Sequence, residues 1–189
     1  MGTMGKVSRK KRKQIKKTSP SRKATPNLRL PPDAVKFEAD KALLVSQETL
    51  IKAGAASCFD LLAKQLEEAV PWDPMIVRAE PISDIRRRPG AVSQLTLALA
   101  GTKLESPAVV TLFKADHAFA WVLPDRPKVK EYWRLEPSVG GTTIHVTLGY
   151  EIHGWIVNRL LQKLLWRRKL EQELRRMLDQ LKRAAEAAD

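Results

Sequence analysis

Residues 129–152 read VKEYWRLEPSVGGTTIHVTLGYEI, and the spacing of their apolar side chains decides the fold. Ile144, Val146, Leu148, Tyr150 and Ile152 share one face of an extended chain, and Thr143, His145, Thr147 and Glu151 share the other, because successive side chains of a strand point to opposite sides. Just upstream, Val129, Glu131, Trp133 and Leu135 alternate with Lys130, Tyr132, Arg134 and Glu136. Gly140-Gly141 marks the turn between the two runs. The stretch predicts antiparallel strands over 128–136 and 142–152, dry on one face and wet on the other. Glu131 is the odd member of the dry face. A solvent-facing strand end is the expected reading, since buried carboxylates are uncommon, and a polar group inside a cavity is the alternative.

Working towards the N-terminus, further extended runs fall at 76–84, 91–100, 103–114 and 117–123. Turn-forming residues separate them: Arg88-Pro89-Gly90, Ala100-Gly101, Asp116 and Pro124-Asp125-Arg126-Pro127. Connections this short favour an antiparallel meander. Before it, 47–53 reads as a short strand broken by Gly54. Residues 55–70 read as a helix, with Cys58, Phe59, Leu62, Leu66 and Val70 at three- and four-residue spacing. Towards the C-terminus, Gly154 ends the strands and 155–187 reads as one long helix. Its apolar stripe is Ile156, Leu160, Leu164, Leu170, Leu174, Met177, Leu178 and Leu181. At 1.5 Å per residue such a helix is ~50 Å long, longer than a strand of ten residues at roughly 33 Å. The sheet is therefore expected to cover its first twenty or so residues, leaving the last turns to overhang.

The chain of 189 residues carries a net charge of +13, which by itself suggests a nucleic-acid-binding domain. The location of the charge argues otherwise. Residues 1–32 hold eleven Lys or Arg and no acidic residue, so the remainder is close to neutral at +2. Residues 1–35 also have almost no apolar content and are expected to be a disordered arm and linker, with the folded domain at 45–188. Within the arm, Arg9, Lys10, Lys11, Arg12, Lys13, Lys16 and Lys17 form the densest run. It suits an anionic membrane surface or nucleic acid, although it lacks an aromatic residue for base stacking. A solubilising tail is the plain alternative. No run of ~18 apolar residues is present to cross a bilayer. The single Cys58 excludes an intramolecular disulfide and fits a reducing, cytoplasmic setting.

The order strand, helix, six antiparallel strands and a long C-terminal helix resembles the START-like superfamily of helix-grip proteins, in its polyketide cyclase/dehydrase and lipid-transport branch. Ala56-Ser57-Cys58-Phe59-Asp60-Leu61-Leu62 is similar to that family's first helix, and Pro71-Trp72-Asp73-Pro74 to the segment leading into its second strand. Tyr132-Trp133-Arg134-Leu135-Glu136-Pro137, Gly140-Gly141-Thr142 and Leu148-Gly149-Tyr150-Glu151 are similar to its last hairpin. The match runs over about 45–185. Gly54-Ala55-Ala56 and the short Gln65–Val70 segment depart from the family pattern at the cavity mouth.

The resemblance implies an α+β helix-grip fold: a seven-stranded curved antiparallel sheet around the long helix, with one or two short helices after the first strand. It also implies an internal cavity for a hydrophobic small molecule such as a lipid or polyketide. Leu95, Leu97, Phe119, Trp121, Glu131, Trp133, Leu135, Tyr150, Ile156, Leu160 and Leu164 are the candidate lining residues. An ordinary core would use the same apolar positions. Tyr150 and Trp133, amphipathic aromatics, are the favoured ligand contacts.

Signals of catalysis are weak. His117, His145 and His153 lack metal-ligand spacing, and no cofactor or metal site is expected. No nucleophile set or phosphate loop is recognisable. If the protein is an enzyme, the resemblance implies a cyclase or dehydrase. A nucleic-acid- or partner-binding module with a closed cavity is a further alternative, the end of the long helix being a possible partner site. Arg86-Arg87-Arg88 and Trp166-Arg167-Arg168-Lys169 are read first as solvated surfaces and second as extensions of the arm's anionic footprint.

Overall fold

A computed structural model describes residues 42–125, 127–151 and 159–188, with backbone only for 42 and 159–163. Seven strands form one antiparallel sheet in the order β1-β7-β6-β5-β4-β3-β2. They are β1 (Ala42–Ile51), β2 (Ile76–Pro81), β3 (Val92–Leu99), β4 (Thr102–Lys114), β5 (Ala118–Leu123), β6 (Val129–Ser138) and β7 (Gly141–Glu151). Helix α1 (Ala55–Lys64) follows β1, and α2 (Arg159–Ala188) packs on the sheet. This is the helix-grip α+β fold that the resemblance implies.

The alternation in the sequence survives in the burial. Val129, Trp133 and Leu135 of β6 and Ile144, Val146 and Leu148 of β7 are all buried, while Arg134 and Glu136 are exposed. The exception is Glu151, expected on the wet face, which is buried at the end of β7 with Lys128 Nζ 3.8 Å away. The turn after β6 is fixed by Gly141. A methyl group on its Cα would lie 2.0 Å from the backbone oxygen of Ile51, so only glycine lets the hairpin pass under the end of β1. Bulges at Ile76/Arg78 in β2 and Val110/Leu112 in β4 break the ladder and bend those strands. On the opposite face Val92, Val109 and Val122 make a small second cluster across β3, β4 and β5.

Three local expectations change. β1 begins at Ala42 rather than 47 and ends at Ile51. Leu43 and Val45 face inward, in register with Tyr150 and Leu148, and this long-range pairing recruits them. α1 stops at Lys64 rather than running to 70. Turn bonds from Glu67 N–H and Glu68 N–H to Lys64 O replace the helical ladder, while Leu66 and Val70 stay buried.

The third change is that the last turns of α2 do not overhang. Among its described side chains the buried ones are Leu170, Leu174, Met177, Leu178, Leu181 and Ala185, towards the C-terminal end. Leu164 and Leu165, nearer its start, are 47% and 52% exposed. The C-terminal turns are tied to β1 by Lys182 Nζ donating to Leu50 O and by Lys52 N–H donating to Glu186 Oε1, both at 2.9 Å. On its exposed side Arg167 pairs with Glu171, one turn further on, at 3.8 Å. Glu173 instead accepts the Ala100 N–H, at 2.9 and 3.1 Å to its two oxygens, and so pins α2 to the β3–β4 turn.

Candidate functional site

Of the candidate lining residues, Leu95, Leu97, Phe119, Trp121, Glu131, Trp133, Leu135 and Tyr150 are buried. They lie on β3, β5, β6 and β7. Leu164 is exposed and therefore does not line an interior. Ile156 and the side chain of Leu160 lie outside the described residues, as do Arg9, Lys10, Lys11, Arg12, Lys13, Lys16 and Lys17. Phe119 belongs to an edge-to-face trio with Phe59 and Phe113, at centroid distances of 5.0–6.5 Å. Tyr150 stacks on Trp166 at 5.1 Å and an interplanar angle of 17°.

Glu131 overturns the expectation of a solvent-facing strand end. It is 1% exposed, in the middle of the apolar face. The register explains its partners. Trp121 of β5 lies directly opposite Glu131, and Trp133 follows it by two residues, so both indoles share its face. Oε1 accepts hydrogen bonds from Trp121 Nε1 at 3.2 Å, from Trp133 Nε1, and from Gln65 Nε2 at 3.3 Å. Gln65 caps the C-terminus of α1 and is fully buried. The carboxyl group is thus held by three neutral N–H donors rather than by a cation.

A second carboxyl lies alongside. Asp73, in the loop from α1 to β2, is 2% exposed, and its Oδ1 accepts the Met75 N–H at 2.9 Å. Burial pushes Asp73 up to about 6, against the pull of the Met75 and Ile76 N–H groups. Burial, reinforced by the Asp73 charge, pushes Glu131 up to about 8, and the Trp133, Gln65 and Trp121 bonds only partly offset this. Glu131 is therefore mostly protonated at neutral pH, a carboxylic acid in an apolar setting. Trp72 meets Trp133 edge-on at 6.4 Å and joins the loop to this cluster.

Three polar atoms of the cluster have no partner among the described residues: Gln65 Oε1, Trp72 Nε1 and Asp73 Oδ2. Buried groups of this kind are usually satisfied, and each costs roughly 1–3 kcal/mol when it is not. The void beside Glu131 is lined by Met75, Ile76, Leu97, Leu99, Trp121, Val129 and Leu148, and it has no room for a water molecule. Sequence reasoning selected Glu131, Trp121 and Trp133 but missed Gln65, Trp72 and Asp73. The signal for Asp73 was local: an Asp two residues before a free N–H, next to Pro74, forms an Asx turn that holds its carboxyl against the fold.

Elsewhere the surface signals are modest. Arg87 is tied to Asp60 at 2.8 Å and to Glu67 at 3.3 Å, and this fastens the 86–88 loop to α1. Lys64 and Arg87 hold the Asp60 carboxyl below its usual range. His145 lies on the outer face between Glu48 at 3.0 Å and Glu136 at 3.3 Å. Among the described residues, no group of three metal-ligating side chains converges, and no helix is long and apolar enough to cross a membrane.

A seven-stranded sheet gripped by a long C-terminal helix, with a polar cluster inside it, defines a helix-grip protein. The model of the polyketide cyclase/dehydrase and lipid transport family matches residues 42–186, and the chain belongs to that family. Among solved structures, protein TTHA0849 of Thermus thermophilus is similar over 77% of this chain and 99% of its own, at 22% identity and a TM-score of 0.64. The Zhui aromatase/cyclase of Streptomyces sp. R1128 matches over 77% and 94%, at 16% identity and a TM-score of 0.62. A START superfamily protein of Mycobacterium smegmatis matches over 77% and 96%, at 16% identity and a TM-score of 0.56. These likenesses establish the shared fold. No curated protein matches the chain.

Proposed function

We propose that this protein binds a hydrophobic small molecule, lipid or polyketide-like, against the inner face of its sheet. On this reading the polybasic arm directs the protein to anionic surfaces. The observation that carries the proposal is the polar cluster of Gln65, Trp72, Asp73 and Glu131, buried in an otherwise apolar interior with three polar atoms unpartnered among the described residues. Binding sites of this kind combine apolar walls with a few convergent polar groups. A ligand hydroxyl on an apolar skeleton would accept from Trp72 Nε1 and donate to one of the two orphan oxygens, Gln65 Oε1 or Asp73 Oδ2, with the rest buried against Leu97, Leu99 and Leu148. Since the void beside Glu131 is closed to water, entry requires the surrounding side chains to part.

The pair Asp73 and Glu131 favours a second reading, an enzyme of the cyclase or dehydrase type. A carboxylic acid kept neutral beside an ionised one is the arrangement needed to pass a proton to a carbonyl or hydroxyl. Titration with 1-aminoanthracene, following tryptophan emission, tests the binding proposal. Saturable quenching that weakens in Trp133→Phe supports it, and the absence of saturable uptake refutes it.

A further inference from the structure

We propose that the exposed face of α2 around Leu164, Leu165, Arg167, Arg168 and Lys169 docks the protein on an anionic lipid surface. This claim is independent of what the interior binds. Leu164 and Leu165 are about half exposed, and Arg167, Arg168 and Lys169 are exposed with them. Single exposed leucines are ordinary on soluble proteins, so the argument rests on their company. Arg167 and Arg168 follow Leu164 at three and four residues, and Lys169 follows Leu165 at four. Each leucine therefore has a cation one turn further along the same side of the helix.

From residue 152 to 170 the sequence has no Asp or Glu and five Lys or Arg, in a body whose net charge is otherwise small. Arg167 pairs with Glu171 at 3.8 Å, and this half-exposed pair is weak. The core does not need this face. Among the described side chains of α2 the buried stripe starts at Leu170, and before it Trp166 leans inward, onto Tyr150. Leu44, 55% exposed, lies at the same end of the molecule, since its strand partner Gly149 adjoins Tyr150.

Apolar side chains beside cations suit the boundary between headgroups and acyl chains. The leucines enter the apolar layer while Arg and Lys stems extend their charges to lipid phosphates. A nucleic acid would use the cations but has no use for the leucines, and the nearby aromatic ring, Trp166, is already stacked. Charge complementarity and apolar exposure together select an anionic bilayer.

The test is flotation of the full chain with vesicles of equimolar phosphatidylglycerol and phosphatidylcholine, against vesicles of phosphatidylcholine alone. Binding is expected to the anionic vesicles. Each cation near the surface contributes roughly a fivefold factor, so Arg167→Gln/Arg168→Gln/Lys169→Gln should weaken it on the order of a hundredfold. Leu164→Ser/Leu165→Ser should weaken it about tenfold. All five side chains are exposed, so thermal melting should be unchanged. The same comparison is made with the basic residues of Arg9–Lys17 replaced by Gln, which removes the arm's contribution. The proposal is overturned if the leucine variant floats like the parent in both backgrounds. It is equally overturned if neutralising the arm abolishes binding, if neutral vesicles bind as well, or if the leucine variant loses affinity for a short single-stranded RNA in parallel.

Discussion

Replacing Glu131 by Gln is the sharpest perturbation of the interior. The amide keeps the size of the side chain and an oxygen for the two indoles, but it cannot ionise. In the wild-type protein Glu131 titrates at about 8 when folded, against 4.5 when unfolded. A raised folded value means that stability is fully present below pH 4.5 and is lost as pH rises through 8. Asp73, raised from 3.8 to about 6, contributes in the same direction, but its contribution is exhausted by about pH 6. Between pH 6 and 8 Glu131 is therefore the cluster's remaining titrating group. One proton at about 1.4 kcal/mol per pH unit, trimmed by half-ionisation at pH 8, gives a loss of about 2 kcal/mol across that window. For a domain of this size that is about 4–8 °C in Tm. Every other ionisable side chain is common to both proteins, so the difference between them isolates Glu131. Thermal unfolding at pH 6, 7 and 8 is expected to show the wild type falling relative to Glu131→Gln. Parallel pH profiles for the two proteins would refute the assignment of Glu131 as a buried, protonated acid.

Other outcomes follow from the same geometry. Gly141→Ala drives a methyl group into the Ile51 carbonyl. It should cost more than twice as much as Gly140→Ala, whose positive φ of 83° carries a penalty of about 1–2 kcal/mol; urea denaturation compares them. Leu174→Ala, in the buried stripe of α2, should lose about 2–5 kcal/mol, whereas Leu164→Ala should stay within about 0.5 kcal/mol of wild type in the same assay. Trp133→Phe removes an N–H donor from Glu131. It should lower stability by about 1.5–3 kcal/mol above pH 8, where the carboxylate is charged, and by less at pH 6.

The hairpin at 129–151 was legible because alternation is a local signal and both strands keep one dry face. Glu131 was visible as an anomaly, yet its environment was not. Its burial depends on Trp121 reaching it across the β5–β6 ladder and on Gln65 and Asp73 arriving from the α1–β2 region, and no local pattern encodes those meetings. The direction of the overhang in α2 was misread for a different reason. Between Leu164 and the group Leu170, Leu174 and Leu181 the apolar series drifts about 100° around the helix. Leu164 is consequently off the side that those residues bury. A stripe drawn over the whole helix conceals that drift. The arm was legible as charge alone, and its target depends on chemistry beyond the fold.

The central claim is that the interior accepts a hydrophobic ligand through the Glu131 cluster. Native mass spectrometry of the full chain, purified without denaturants or organic solvent, tests it most directly. A one-to-one adduct of an apolar molecule is expected, released on unfolding and depleted in Glu131→Gln. A bare polypeptide mass that persists after incubation with fatty acids and aromatic polyketide analogues would contradict it.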